Sequence, residues 1–235
     1  MRQEQRQRAH EQIKEQEKQR ILGIFPAFNT SYRSDAVSLT SKEKMGLAFR
    51  SALDPAALIG PFVLAGFSEL NGNAGFGWGP EGYFKRTGAA YLDSFDAKMI
   101  GKGILPSLLH QDPRYFRRGY GSTPKRLLYA SSYVVICEHD NSKRREPNYS
   151  YVGGNVLAGV ISTLYYPETS TSGIHKAVVN GLIVTAQGVS MVMFQEFWPD
   201  ISRKLLHKDL TRGLDAQREA EEAAKKGAQP HPNQK

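Results

Sequence analysis

Residue types suited to nucleophilic, acid–base or phosphate chemistry crowd one short segment: Ser107, His110, Asp112 and Arg114 lie within eight positions. A serine nucleophile needs a histidine base and an orienting carboxylate converging on it in space. Here all three share one turn-rich stretch, and no GxSxG elbow occurs in the chain. His110, Asp112 and Arg114 stand as catalytic candidates of an alternative reading, an enzyme acting on a lipid or phosphate-containing substrate. The plainer reading makes Asp112-Pro113 a turn or helix start, with Asp112 capping the next N–H groups and pairing with Arg114 or Arg117.

Arg114, Arg117, Arg118, Lys125 and Arg126 form the strongest basic cluster, interleaved with Tyr115, Phe116 and Tyr120. Arginine with aromatics suits the phosphates of lipid headgroups or of nucleic acid. No nucleic-acid-binding motif accompanies the cluster, so anionic headgroups are the expected partner. The competing reading is a basic loop tied to carboxylates such as Asp112. Asp93 and Asp96 share a helical face, an arrangement that chelates metals or does acid–base work. No Glu-x-x-His accompanies them, and with Lys85, Arg86 and Lys98 nearby they read as an ion-paired surface. The glycine-rich stretch Asn71–Gly82 lacks the GxxxxGK[ST] and GxGxxG patterns of phosphate loops, so it reads as a turn between helices. No metal or cofactor is expected.

Composition narrows the classes. The chain has 235 residues and one Cys, which excludes a disulfide scaffold and Cys-based zinc or iron–sulfur sites. Lone Cys137, in an apolar run, reads as a small buried hydrophobe. The net charge of +8 and mean hydropathy of −0.46 suggest an ordinary soluble protein. That average is misleading. Residues 1–20 and 211–235 hold 19 of the 54 charges, and the middle is apolar and carries most of the glycine. The expected organisation is a charged extension over 1–20, a helical domain over 21–208 and a charged, disordered tail over 209–235. No apolar h-region follows Met1, so the sequence as written is not read as carrying a signal peptide.

The elements that must position these residues read as helices. Thr40 and Glu43 make a capping box, opening a helix that stops at Asp54-Pro55. Pro55 opens a second helix ending near Asn71-Gly72. A third covers 81–103, broken by Pro106. A helix from Thr123-Pro124 is expected to reach about Glu138; strands at Val134–Cys137 and Leu182–Val184 are the weaker alternative, since period-2 alternation is missing. Pro199 is expected to open a final helix with Asp200 in its first turn and Lys204 and Lys208 in its last.

Two stretches carry no charge at all, 147–167 and 177–195. Each approaches the roughly 20 residues that a bilayer requires. Tyr149, Tyr151, Tyr165 and Tyr166 sit at the ends of the first, as in interfacial belts, and Lys143–Arg145 and Arg203–Lys208 flank the pair. Their glycines let helices approach closely, in a membrane or in a buried bundle. The expected fold is therefore mostly α, a glycine-rich helical bundle, membrane-embedded or membrane-associated, with charged flexible tails. A soluble bundle binding a protein partner is the further alternative.

Four phrases are distinctive: WGPEGYFKRTGAAYLDSF (Trp78–Phe95), ILPSLLHQDPRYFRRGYGS (Ile104–Ser122), NYSYVGGNVLAGVISTLYYP (Asn148–Pro167) and EFWPDISRKLLHK (Glu196–Lys208). Together they resemble a bacterial family, frequent in acidobacteria, that shares these phrases and carries no assigned chemistry. The resemblance covers roughly residues 21–208. Members often begin with a signal sequence, which implies the cell envelope; this chain departs there, leaving the cytoplasm as the other compartment. The Ser, His and Arg of 107–114 also resemble lipid-phosphatase sequences, without their separated basic, PSGH and distal His blocks. The function expected is a non-enzymatic, structural or scaffolding envelope protein with lipid bilayer or anionic headgroups as partner, and no nucleic acid.

Overall fold

The computed structural model describes the chain apart from residues 1–3, 5, 9–10, 15–19, 22–24, 27–29, 33–35, 71–74, 168–172, 208, 212 and 228–235. The fold is mostly helical, as expected. Helix α1 (Ser41–Leu53) opens on the capping box: Glu43 N–H donates to Thr40 Oγ1 (3.3 Å) and Thr40 N–H to Glu43 Oε2 (2.7 Å). Asp54 ends it, and its carboxylate accepts from Ala56 N–H (2.9 Å) to start the 3₁₀ turn Pro55–Leu58. Helix α2 (Ile59–Leu70) follows, at 61° to α1. In the turn before α3, Gly77 and Gly79 take the positive φ angles that only glycine adopts freely; Asn71–Ala74 lie outside the described residues.

Helix α3 (Gly79–Lys98) runs on through a π-helical turn, Met99–Ile104, into α4 (Leu105–Leu108). Pro106 therefore does not break the helix where the sequence suggests. It sits in the first turn of α4, directly after the wider π turn, where its missing N–H costs least.

A small polar layer caps this end of the bundle. Strand β4 (Gln111–Asp112) pairs antiparallel with β6 (Ile136–His139), and β6 with β7 (Arg145–Pro147). Strand β3 (Thr30–Ser31) pairs parallel with β5 (Tyr115–Phe116), and β1 (Arg20–Ile21) antiparallel with β2 (Phe25–Pro26). Helix α5 spans only Thr123–Ser132, so the expectation of a helix reaching Glu138 is corrected. Val134, Val135 and Ile136 are β-branched, and the free edges of β4 and β7 offer Ile136–His139 a ladder on both sides.

Helices α6 (Tyr149–Ser162) and α7 (Gly173–Leu206) form an antiparallel hairpin over the two uncharged stretches. Asn148 caps α6 by accepting from Tyr151 N–H (3.0 Å). Glycines bring the backbones together. A Cβ on Gly181 would lie 2.6 Å from Val156 Cα, one on Gly159 2.6 Å from Ala177 O, and one on Gly154 2.6 Å from Gly101 N in the π turn. Asn155 Nδ2 donates across the hairpin to Thr185 Oγ1 (2.9 Å). Pro199 lies inside α7 rather than opening a new helix, which corrects that expectation. Proline removes the N–H that would bond the Gln195 carbonyl one turn back; the next carbonyl, that of Glu196, accepts from Arg117 Nε (2.7 Å) and Arg126 Nη2 (3.0 Å).

Part of each end read as a tail joins the core. Ile13 packs against Leu39 and Leu47, and Gln12 Oε1 accepts from Val37 N–H (3.0 Å). Helix α8 (Leu214–Gly227) follows α7, with Asp215 buried in its first turn.

Candidate functional site

Asp112 and Arg114 close a two-residue loop between β4 and β5. Asp112 Oδ1 accepts from the Arg114 backbone N–H (3.1 Å) and Nε (2.9 Å), and Oδ2 from Nη2 (2.7 Å). Arg114 Nη2 also reaches Val37 O (2.7 Å). Both side chains are fully buried. Burial alone would raise the Asp112 pKa, but the guanidinium outweighs it and holds the carboxyl below its usual range. The pair is the turn-and-ion-pair arrangement the sequence reading offered for Asp112.

His110 is exposed, in the left-handed region at φ 55°, with its ring 6.3 Å from that of His139. It borders a cleft of about 720 Å³ lined by Ser38, Thr40, Glu43, Asp140 and Lys143. Beneath the cleft, buried Lys44 donates to Asp140 Oδ2 (2.5 Å) and Pro106 O (3.0 Å). Ser107 Oγ donates to Gly103 O (2.7 Å) within its own helix. Of the four clustered residues, the fold brings together Asp112 and Arg114 only.

The larger constellation joins the basic cluster to the end of α7. Glu196 is fully buried and its carboxylate accepts four hydrogen bonds: Tyr115 OH (2.6 Å) and Arg118 N–H (3.0 Å) on Oε2, Gly119 N–H (3.0 Å) and Arg126 Nε (2.8 Å) on Oε1. One turn on, Asp200 pairs with Arg126 (2.7 Å), Arg117 (3.2 Å) and Arg203 (2.6 Å). Asp215 of α8 accepts from Arg117 Nη1 (2.5 Å) and Arg203 Nη2 (2.6 Å). Burial opposes ionisation of Asp200, yet Arg126, Arg117 and Arg203 hold its pKa below the ordinary carboxylate range. Burial and neighbouring Glu196 push the Tyr115 phenol well above its usual value.

Of the five cationic residues singled out in the sequence, Arg114, Arg117 and Arg126 are thus buried in internal ion pairs. Arg118 is half-buried, its guanidinium 4.9 Å from the Tyr120 ring and 5.7 Å from that of Tyr129, and Lys125 is exposed. The reading from sequence missed Glu196, Asp200 and Asp215 as their partners, and Arg203 as a further arginine on the same carboxylates. A signal was available: acids at 196 and 200 stand one turn apart, on one face of a helix, ready to meet a cluster of arginines.

Asp93 takes Tyr165 OH (2.5 Å) on one oxygen and Tyr166 OH (2.7 Å) on the other. Cys137 is buried, and burial pushes its thiol up to about 12. Among the described residues no group of three or more His, Cys, Asp or Glu is placed to hold a metal ion.

Beyond this polar end, large apolar side chains face outward. On α7 they include Leu182, Ile183, Val184, Met191 and Phe194; on α6 Leu157 and Ile161; on α2 Val63, Leu64 and Phe67. The most apolar 18-residue window of α7 has mean hydropathy 1.7 and only 17% of it is buried. Among the described residues α7 is the one helix long and apolar enough to cross a membrane, and α1 with the bent α2 makes a second candidate. Comparison of the chain with protein-family models, with curated proteins and with solved structures gives no match.

Proposed function

We propose that the protein is a structural or scaffolding component of the bacterial cell envelope, held in a bilayer by the α6–α7 hairpin. The observation that carries this reading is the inverted distribution of polarity. The largest fully buried side chains include Arg114, Arg117, Lys44, Gln111 and Glu196, while Ile183, Val184 and Leu182 lie about half exposed. Large exposed apolar side chains are costly in water when they gather into a patch, and lipid removes that cost. The close glycine approaches at Gly154, Gly159 and Gly181, with the Asn155–Thr185 hydrogen bond, are the packing devices of helices in lipid, where apolar burial supplies no driving force between helices. The envelope assignment rests on the resemblance described above.

Membrane fractionation tests the reading. The chain should pellet with membranes, resist extraction at alkaline pH and high salt, and be released by detergent. Clean recovery in the soluble fraction without detergent would overturn it.

A further inference from the structure

One carboxylate of the buried network differs from the others in how it is held. Glu196 and Asp200 belong to α7, but Asp215 arrives on α8, after the turn in which Asp209 accepts from Thr211 N–H (3.0 Å) and Gly213 N–H (2.8 Å). Its two oxygens divide between Arg117 and Arg203, and Gly119, at φ 74°, makes the room: a Cβ there would overlap Asp215 Oδ1. Two guanidiniums closing on one anion from two elements is the geometry that also takes a phosphate.

Beyond the first turn, the described side chains of α8 are mostly exposed. Arg218 Nη1 donates to Arg117 O (2.6 Å) and Arg118 O (3.3 Å), while Ala216, Gln217, Glu219, Ala220, Glu221, Ala223 and Ala224 are exposed. An isolated 14-residue helix is marginal in water, and among the described side chains of α8 the buried one is Asp215, so the first turn holds its seat. We propose that Asp215 is an internal stand-in for an anionic lipid phosphate, and that α8 is a latch which such a lipid displaces from Arg117 and Arg203.

This inference rests on the bilayer reading, which also sets the depth. The uncharged run Ala177–Gln195 is about 28 Å long as a helix, close to the roughly 30 Å hydrocarbon thickness. Asp200 and Arg203 then lie about 7 and 12 Å beyond its edge, in and just outside the polar layer, beside Phe197 and Trp198. An anionic surface attracts the two arginines; along α8 it repels Glu219 and Glu221 and attracts Lys225 and Lys226 at the far end, which favours swinging the helix about rather than holding its first turn in place.

The test uses the full chain in lipid nanodiscs, with spin labels on Lys204→Cys and Ala220→Cys in a Cys137→Ala background. In phosphatidylcholine discs the inter-label distance should be single and narrow; with phosphatidylglycerol added, a long, broad distribution should dominate. Inorganic phosphate added to phosphatidylcholine discs should leave the narrow distance in place; release by phosphate alone would overturn the lipid as the source of the anion. Asp215→Asn should give the broad distribution in both kinds of disc, and a seated α8 in that variant would overturn the role of Asp215. If the chain enters discs but the distance stays narrow with phosphatidylglycerol, the latch is overturned and the bilayer reading stands. If the chain does not enter discs at all, the bilayer reading falls, and the latch with it.

Discussion

Glu196→Gln probes the centre of the network with almost no change in volume. The carboxylate accepts four donors, two on each oxygen. An amide keeps one acceptor oxygen and turns the other position into a donor. The least costly orientation places the NH₂ on the Oε2 side, where the Tyr115 hydroxyl can rotate to accept from it. The Arg118 N–H then has no acceptor, at about 1–3 kcal/mol. On the other side Gly119 N–H and Arg126 Nε keep an oxygen but lose its charge, and Arg126 retains only Asp200 as a carboxylate partner. Breaking one side of a buried, hydrogen-bonded ion pair costs about 3–5 kcal/mol. That is a large part of a typical 5–15 kcal/mol stability. The assay is denaturant unfolding in detergent followed through Trp198, two residues away and buried, with exposed Glu219→Gln as the control. A loss below about 1 kcal/mol, or one equal to the control's, would refute the claim that this carboxylate organises the arginine cluster.

Gly154→Ala should separate α6 from the π turn and cost about 1–3 kcal/mol by overpacking, whereas Gly46→Ala, with nothing within 4 Å of its new Cβ, should gain up to about 1 kcal/mol in the same unfolding measurement. Asp112 has a folded pKa below its unfolded value near 3.9. Its contribution is therefore present above about pH 4 and lost as pH falls through the folded value, so Asp112→Asn should flatten the acid limb of a stability-against-pH curve. Ile183→Lys should abolish retention in the membrane pellet, because a lysine at mid-span costs about 2.5–3.5 kcal/mol in lipid; on a water-facing helix the change would be nearly neutral.

Features set within a few residues of chain were legible in the sequence. The Thr40–Glu43 box and the Asp112–Arg114 turn are completed by neighbours three and two positions apart. The hairpin was legible because its charge-free stretches are long. What depended on distant partners was not. Ile136–His139 is a strand because β4 and β7 lie on either side of it. Pro199 lies within a helix, and the Glu196 carbonyl in the turn before it is taken by arginines some 70 to 80 residues earlier. Arg117 and Arg126 look like surface residues by type and spacing, and only the approach of α7 and α8 shows that each has carboxylates waiting for it.

The outward apolar residues of α6 and α7 also bear on how stability varies with temperature. The heat capacity of unfolding rises with apolar area newly wetted and falls with polar area newly wetted. Here Leu182, Ile183, Val184 and Met191 are already outside the packed interior, while Arg114, Arg117, Gln111 and Glu196 would be freshly hydrated. The heat-capacity increment should therefore fall well short of the usual 12–15 cal/mol/K per residue or so. With that curvature reduced, stability should decline more nearly linearly on warming and lose less on cooling, the behaviour of a molecule held together more by charge and close backbone contact than by a sequestered oil drop.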